Sequence, residues 1–197
     1  MMTKARLAVR QTLARLNPGD QVVVAVSGGA DSLLLAYCLN LESSDLALKI
    51  HAVVIDHQLQ EGSADTASNA KRKLKELGID SVEIIPVVVV KHDGMEADAR
   101  RARYTALNEH AKNIGASAIF LGHNQDDLAE SVLLGLTQGA GTKSLAGMAL
   151  QDGMYIRPFL TLSRAEVLAA CKEVPIDYWD DPHNDDLRFT RVKIRKS

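Results

Sequence analysis

The chain has few of the residues that mark secreted, zinc-binding or membrane proteins. Its 197 residues include only two cysteines, Cys38 and Cys171. Two cysteines are too few for a disulfide framework, and without a Cys/His cluster they do not make a structural zinc site. No apolar run approaches the ~18 residues of a membrane helix, and no apolar segment of a secretory signal follows the N-terminus. We therefore expect a protein of the reducing cytoplasm that makes no membrane contact.

Positive charge and aromatic rings are also scarce. The 23 basic and 25 acidic side chains give a net charge of −2, and aromatic residues make up 4% of the chain. These values exclude a global basic field and argue against extensive base stacking on a flat surface. Any RNA contact must then use local patches, such as Lys71–Lys73, Arg100–Arg101 and the basic segment 187–197. That segment follows five aspartates within 177–186, and such a charge swing is also typical of a solvated face or tail.

Four short apolar runs predict a parallel sheet. Their apolar residues are continuous rather than alternating, which is typical of strands buried on both faces. The runs are Val22–Val26, Ala52–Ile55, Ile84–Val88 and Ala118–Leu121. Apolar periodicity and a capping box predict helices over Asp31–Leu41, Ser63–Leu77, Met95–Ile114 and Ser163–Lys172, and residues 137–154 read as a loop. This order predicts a single α/β domain, an open and mainly parallel sheet with helices on both faces.

The turn after the first strand is the most informative segment. It reads Ser-Gly-Gly-Ala-Asp-Ser over residues 27–32 and leads directly into a helix. Two glycines let the backbone approach a ligand closely, and free N–H groups at a helix N-terminus suit an anion. The GxxxxGK[ST] spacing and the lysine of a Walker A loop are missing.

Asp31 is unexpected in an anion-binding loop, because a carboxylate repels phosphate. A Mg²⁺ ion held between the carboxylate and phosphate oxygens resolves the conflict. The alternative is that Asp31 or Ser32 is a simple N-cap of the following helix.

Polar residues also follow the second and fourth strands, where ligands of open α/β sheets bind. Asp56 and His57 end the second strand, and alone they are equally consistent with a polar strand end. Residues 122–131 follow the fourth strand and read Gly-His-Asn-Gln-Asp-Asp-Leu-Ala-Glu-Ser. Asp127 and Glu130 would share a helix face that suits hydrated Mg²⁺, whereas Asp126 could cap the helix, or the acids could simply complement its dipole.

Together these segments resemble the N-type ATP pyrophosphatases, the PP-loop superfamily, whose members cleave ATP between the α and β phosphates. Within that superfamily the chain is most similar to the tRNA(Ile)-lysidine synthetases. The similarity includes the SGGxDS loop, the GHHxDDxxET segment and an Ala-Arg-x-x-Arg-Tyr helix at 99–104. Weaker similarities are the loop at Gly139–Gly141, the stretches 144–148 and 156–160, and the segment from Trp179 to Arg195. The sequence departs from the family pattern at Asn124, Ser131, His183 and Val192.

The resemblance implies an adenine nucleotide alpha hydrolase-like fold and a reaction between ATP, L-lysine and the isoleucine tRNA with a CAU anticodon. The wobble cytidine would be adenylated at C2 and lysine would then displace AMP, with Mg²⁺ as cofactor. The implied nucleotide-binding residues are Ser27, Gly28, Gly29, Ala30, Asp31, Ser32, Asp56, His57, Gly122 and His123. The implied catalytic residues are Asp31, Asp127, Glu130, Arg103 and Arg195, with Asp31 and Asp127 as metal ligands.

The resemblance also bears on assembly. Family members are often dimers, so a homodimer is one arrangement left open, and the basic segment 187–197 would lead towards tRNA-binding domains that this sequence lacks. Two other functions remain open. A tRNA sulfurtransferase would share the loop but needs a reactive cysteine pair, and a nucleotide-binding module would bind ATP without catalysis.

Overall fold

In the computed structural model, the described residues are 1–59, 62–90, 94–137, 147–174 and 178. They form a six-stranded sheet with the strand order β3-β2-β1-β4-β6-β5. All neighbouring strands are parallel except β5 and β6, which are antiparallel. The strands are β1 Gln21–Val26, β2 Lys49–Asp56, β3 Val82–Pro86, β4 Ala118–Phe120, β5 Gln151–Asp152 and β6 Tyr155–Ile156. The predicted open, mainly parallel sheet is therefore confirmed.

Six α-helices surround the sheet in the described part of the chain. They are α1 Met2–Leu13, α2 Ala30–Glu42, α3 Ser63–Glu76, α4 Met95–Ile114, α5 Gln125–Thr137 and α6 Arg164–Cys171. Two short 3-10 helices lie at Ser44–Leu46 and Pro158–Thr161. None of the helices in these residues is both long and apolar enough to cross a membrane.

The core lies in two layers, one on each face of the sheet. Val22 and Val24 of β1 point towards the larger layer, which includes buried residues of α1, α2, α3 and α6. Val23 points the other way and packs with Leu107 and Ala111 of α4. The period-two alternation of strand side chains thus places apolar residues on both faces, which is why the runs read as continuous.

The helix boundaries follow local sequence signals. Helix α4 spans the predicted residues, and Gly115 ends it in the left-handed conformation (φ 66°) that glycine adopts without strain. At the start of α6, Ser163 Oγ accepts a hydrogen bond from Glu166 N while Ser163 N donates to Glu166 Oε2, at 3.3 and 3.0 Å. The predicted capping box is therefore present.

Three predictions about the elements need correction. The third apolar run forms an edge strand that ends at Pro86, and none of its residues is buried; Val88, beyond that proline, is 79% exposed. Helix α1 lies in a segment to which the sequence analysis assigns no element. The loop predicted over 137–154 contains the two-residue strands β5 and β6, and residues 138–146 lie outside the described part.

Helix α1 is fastened to the C-terminal end of α2 by a buried carboxylate. The side chain of Glu42 is 4% exposed and lies between the guanidinium groups of Arg6 and Arg10. Arg10 Nε donates to Glu42 Oε2 at 2.6 Å. These arginines hold the pKa of Glu42 below its ordinary value, so the acid stays charged although it is buried.

At the amino end of the sheet, His51 of β2 lies in a polar network of its own. Its Nδ1 is 2.9 Å from Ser81 Oγ, its Nε2 is 3.1 Å from Gln21 Oε1, and its ring meets that of His110 edge-on at 6.4 Å. Burial and the neighbouring His110 and Lys49 lower the pKa of His51. This network lies away from the carboxyl ends of the strands.

The strand order reverses beside β1. The chain proceeds from β1 to β2 and β3 on one side and then returns to place β4 on the other side. In open α/β sheets this reversal creates a crevice at the carboxyl ends of the two central strands, where ligands bind. The loops that follow β1 and β4 meet there.

Candidate active site

The loop after β1 is held by the side chains of its own serines. Ser32 Oγ donates to Gly29 O at 3.0 Å and accepts from Ser27 N at 3.1 Å. Gly28 has φ 87°, a conformation that favours glycine, and an added Cβ would lie 3.4 Å from the Cβ of Ala70. Glycine therefore makes this turn without the backbone strain that a side chain would cause at position 28.

The loop leaves the start of α2 open to a ligand. The N-cap of α2 is Gly29, which has no side chain to cap the helix, and Ser27 Oγ accepts only a long hydrogen bond from Gly29 N, at 3.5 Å. The alternative in which Asp31 or Ser32 caps this helix is thus wrong. Because the first backbone N–H groups of a helix have no partner within it, and the helix dipole is positive at this end, the loop suits a phosphate group.

Asp31 lies in the first turn of α2 and points towards the loop after β4. Its Oδ1 accepts a hydrogen bond from Asn124 Nδ2 at 2.9 Å, and its Oδ2 lies 3.7 Å from Arg164 Nη1. Burial raises the pKa of Asp31, and the nearby carboxylate of Asp127 raises it further, whereas Asn124 and Arg164 lower it. Two acids that repel each other at an anion-binding loop are an arrangement that a cation would stabilise.

Gly122, directly after β4, brings the second loop against the first. An added Cβ would lie 3.1 Å from the carbonyl carbon and oxygen of Asp31 and from Cα of Ser32. Such contacts are closer than carbon atoms normally approach. The absence of a side chain at position 122 therefore allows the two loops of the crevice to touch. The next residue of this loop, His123, is half-buried.

Asn124 caps helix α5, which corrects the alternative that Asp126 does so. Its Oδ1 accepts hydrogen bonds from Asp126 N and Asp127 N at 2.9 and 3.1 Å. The carboxylate of Asp126 instead accepts from Arg164 N at 3.1 Å and so holds the start of α6. Asp127 Oδ2 in turn accepts a hydrogen bond from the backbone N–H of Asn124 at 2.9 Å.

The acids after β4 fit a hydrated magnesium ion. Asp127 is half-buried beside Asp31, and Glu130 is buried on the same helix. Within the described residues no group of three or more His, Cys, Asp or Glu side chains could hold a metal ion. Mg²⁺ commonly binds one or two carboxylates and takes its other ligands from water and phosphate oxygens, so Asp31 and Asp127 suit a metal that arrives with a nucleotide.

Asp56 and His57 form a third part of the crevice, after β2. Asp56 is buried, and its Oδ1 accepts from Gln58 N at 2.9 Å. Burial lowers the pKa of His57, and the positive charge of Arg103 lowers it further. Arg103 thus lies near this strand end, so helix α4 places a permanent cation beside the loops.

Arg100 and Arg103, which lie three residues apart on α4, both pack against the ring of Tyr104. The guanidinium carbons of Arg100 and Arg103 lie 4.9 and 5.5 Å from the ring centroid of Tyr104. Arg100 Nη2 also donates to Tyr104 Oη at 3.3 Å. These contacts restrain both side chains.

Some predicted residues cannot be placed. Arg195, the basic segment 187–197, Gly139–Gly141, residues 144–146 and the segment from Trp179 to Arg195 lie outside the described residues. Sequence reasoning also missed Arg164, whose guanidinium faces Asp31. Arg164 follows Ser163, and the local sequence there indicates only the start of a helix. The contact between Arg164 and the loop after β1 depends on the tertiary fold and leaves no signal in that pattern.

The two cysteines are buried and chemically protected. Cys171 Sγ donates a long hydrogen bond to Ala30 O at 3.7 Å. Burial raises the pKa of both Cys38 and Cys171 to about 12. Because the thiolate is the reactive form of cysteine, neither residue is suited to sulfur chemistry.

Comparison with known proteins agrees with this geometry. A family model described as a PP-loop domain matches residues 1–197. The chain is 46% identical over 190 residues to a tRNA(Ile)-lysidine synthase of Thermobifida fusca, covering 96% of this chain and 59% of that protein. It is 47% identical over 177 residues to the protein of the same name from Streptomyces coelicolor, covering 88% and 50%. The chain thus spans half to three-fifths of the length of these relatives.

The fold also matches a solved structure. The U34-tRNA thiolase NcsA from Methanococcus maripaludis, with its [4Fe-4S] cluster, superposes with a TM-score of 0.79 at 22% identity. The match covers 98% of this chain and 70% of that one. At this identity the likeness establishes the fold alone.

Proposed function

We propose that this chain, which belongs to the PP-loop domain family, is the catalytic domain of a tRNA(Ile)-lysidine synthetase. It would use ATP and L-lysine to modify C2 of the wobble cytidine in the isoleucine tRNA with a CAU anticodon. We propose the cytoplasm as its compartment, because tRNA and ATP are present there. The proposal is supported by similarity to relatives of that name, and one structural observation carries it. The anion-binding loop after β1 and the acidic helix start after β4 are joined by the hydrogen bond between Asn124 and Asp31.

In the first step the chain binds ATP and directs its α-phosphate to the base. Residues 27–32 would hold the pyrophosphate portion, and Asp56 and His57 would border the adenine. Oxygen 2 of the cytidine attacks the α-phosphorus, the bond to the β-phosphate breaks, and pyrophosphate leaves. Arg103 would stabilise the negative charge of the transferring group, and we assign Arg195 the same role on sequence grounds.

Asp31 and Asp127 would hold Mg²⁺. The donor chemistry fits, since the carboxylate of Asp127 raises the pKa of Asp31 and a divalent cation would relieve the repulsion between the two acids. When bound, Mg²⁺ supplies positive charge that offsets the charge developing on the phosphates.

In the second step the lysine amine attacks C2. A carbon–nitrogen bond forms, the carbon–oxygen bond to the adenylyl group breaks, and AMP leaves with that oxygen. The amine must lose a proton as the bond forms. Glu130, buried one helical turn beyond Asp127, is the group that we assign to face the lysine or to accept this proton.

The cysteines argue against the sulfurtransferase alternative. The matched thiolase carries a [4Fe-4S] cluster, and such clusters are held by cysteine thiolates. This chain has two cysteines in total, and both are buried with their pKa values raised to about 12. Acids beside the phosphate loop likewise favour metal-assisted chemistry over a module that only binds nucleotide.

The test is one incubation with ATP, Mg²⁺, labelled L-lysine and the CAU-anticodon isoleucine tRNA. We expect label in that tRNA, an equal amount of AMP, and no label in elongator methionine tRNA. Asp31→Asn should abolish most of the labelling with a nearly unchanged melting temperature. Asp80→Asn, which neutralises an exposed aspartate before β3 at the other end of the sheet, is the matched control and should act as wild type. AMP formation without labelled tRNA, or labelling by a thiol donor in place of lysine, would reject the assignment.

A further inference from the structure

Asn124 lies in the loop after β4, and beyond capping α5 it has no role in the two chemical steps proposed above. Its side chain is 1% exposed. The amide oxygen accepts from the backbone N–H groups of Asp126 and Asp127, and the amide nitrogen donates to Asp31 Oδ1. Its backbone N–H donates to Asp127 Oδ2. One residue is therefore hydrogen-bonded to both carboxylates of the proposed metal pair.

We infer that Asn124 is the positioning residue that orients Asp31 and Asp127 and thereby sets the affinity of the site for a divalent cation. It does so through the 2.9 Å hydrogen bonds to one oxygen of each carboxylate. The inference rests on the proposed function, because it concerns the metal that accompanies ATP.

The side chain must be an acceptor and a donor at the same time. A helix N-cap needs an acceptor oxygen, which Ser, Thr, Asp and Asn all provide. The contact to Asp31 also needs a donor on the same side chain, at the position of the amide nitrogen. Asparagine has both, so capping alone does not explain why Asn124 meets a carboxylate that lies 93 residues earlier in the chain.

Helix α6 supports the same carboxylate from the other side. Arg164 Nη1 lies 3.7 Å from Asp31 Oδ2, and Arg164 N is fixed by the carboxylate of Asp126 at 3.1 Å. Asp31 is thus confined between two neighbouring groups. Hydrogen-bonding partners that orient a metal ligand commonly change metal affinity by about 10–100-fold when they are removed.

The decisive variant keeps the cap and removes the donor. Asn124→Ser retains an N-cap oxygen, but its shorter side chain does not reach Asp31. Asn124→Ala loses both contacts. Asn40→Ser is the matched control, because Asn40 Nδ2 also donates a hydrogen bond, to Leu77 O at 3.2 Å, at the far end of α2.

The first measurement is the affinity for Mn²⁺, a paramagnetic probe, with and without ATP; the decrease of the signal of free Mn²⁺ reports binding. The second measurement is a melting curve of each variant. We expect Asn124→Ser to weaken ATP-dependent Mn²⁺ binding about tenfold or more at a melting temperature close to wild type. Asn124→Ala should show the same loss of affinity and also melt a few degrees lower. Asn40→Ser should bind Mn²⁺ as wild type does.

The outcomes separate the two ideas. Unchanged Mn²⁺ affinity in Asn124→Ser, while wild type binds Mn²⁺ with ATP, would overturn the inference and leave the proposed function intact. Absence of ATP-dependent Mn²⁺ binding in wild type itself would overturn both. Equal loss of affinity in Asn124→Ser and Asn40→Ser would mean that any lost amide contact loosens the fold, and the positioning role would be rejected.

Discussion

Substituting Gly122 by alanine should damage the nucleotide site through a single methyl group. The added Cβ would stand 3.1 Å from three backbone atoms of residues 31 and 32. Because carbon atoms prefer separations of about 3.5–4.0 Å, the two loops must part by about half an ångström. Backbone cannot rotate away as a side chain can, so we expect a cost of about 1–3 kcal/mol, typical of overpacking. For a domain of this size that corresponds to a melting temperature lowered by about 2–12 °C.

The effect on ATP should be larger than the effect on stability. Misplacing catalytic groups by about 1 Å can cost about 100-fold in rate, and here the displaced backbone carries Asp31. We expect ATP affinity, measured by calorimetry, and AMP formation with tRNA each to fall about tenfold or more. The backbone of Gly122 itself is unstrained, since its φ lies outside the left-handed region, and any loss is therefore due to the contact.

Gly115→Ala is the matched control. Gly115 has φ 66° with open space around it, at the end of α4. Alanine there adds left-handed strain of about 1–2 kcal/mol without a contact in the crevice. It should lower the melting temperature while leaving ATP affinity unchanged. If Gly122→Ala binds ATP and melts as wild type does, the close approach of the two loops is not what the site depends on.

Three further outcomes follow from groups outside the crevice. Glu42→Gln removes the charge from a carboxylate held by two arginines, and it should lower the free energy of unfolding by about 2 kcal/mol in denaturant titration, without loss of ATP binding. Burial and His110 lower the pKa of His51, so the unfolded chain binds a proton at this imidazole more tightly than the folded chain does. The stability contribution of His51 is present above pH ~6.5 and should be lost as the pH falls through the folded-state pKa. In a profile of melting temperature against pH, His51→Gln should flatten that part of the curve. The pKa values of Cys38 and Cys171 are raised to about 12, so both thiols should resist a thiol reagent in the native state at pH 8. Replacing both cysteines by alanine should leave the rate of lysine transfer unchanged. A fall of that rate to background would favour the sulfurtransferase alternative.

Predictions from sequence succeed here where a local pattern decides the structure. Helix α4 has the expected limits because its periodic alanines are closed by a glycine that adopts φ 66°. The strand runs succeed because a central parallel strand must be apolar on both faces. The sequence does not predict strands β5 and β6, because two residues are too few to show a hydrophobic period.

Predictions of contacts between distant segments are less complete. Asn124 and Asp126 are both good N-cap residues two positions apart, so local propensity does not decide between them. The tertiary contacts select Asn124 as the N-cap, because Asp126 accepts a hydrogen bond from Arg164 N and Asn124 donates one to the carboxylate of Asp31. The sequence therefore predicts which strand ends carry the site, whereas the pairing of its side chains depends on the order of the strands.

The reversal of strand order beside β1 has a consequence for how the protein folds. The loop of residues 27–32 is complete once β1 and α2 exist, but its partners belong to β4 and α5, and the hydrogen bond that joins them spans 93 residues. Contacts of such long range form only after the entropy of closing the intervening chain has been overcome. During synthesis from the N-terminus, the complete crevice thus arises only after the segment following β4 has emerged and β4 has paired with β1. We therefore expect nucleotide binding to be a late event that follows the joining of the two halves of the sheet.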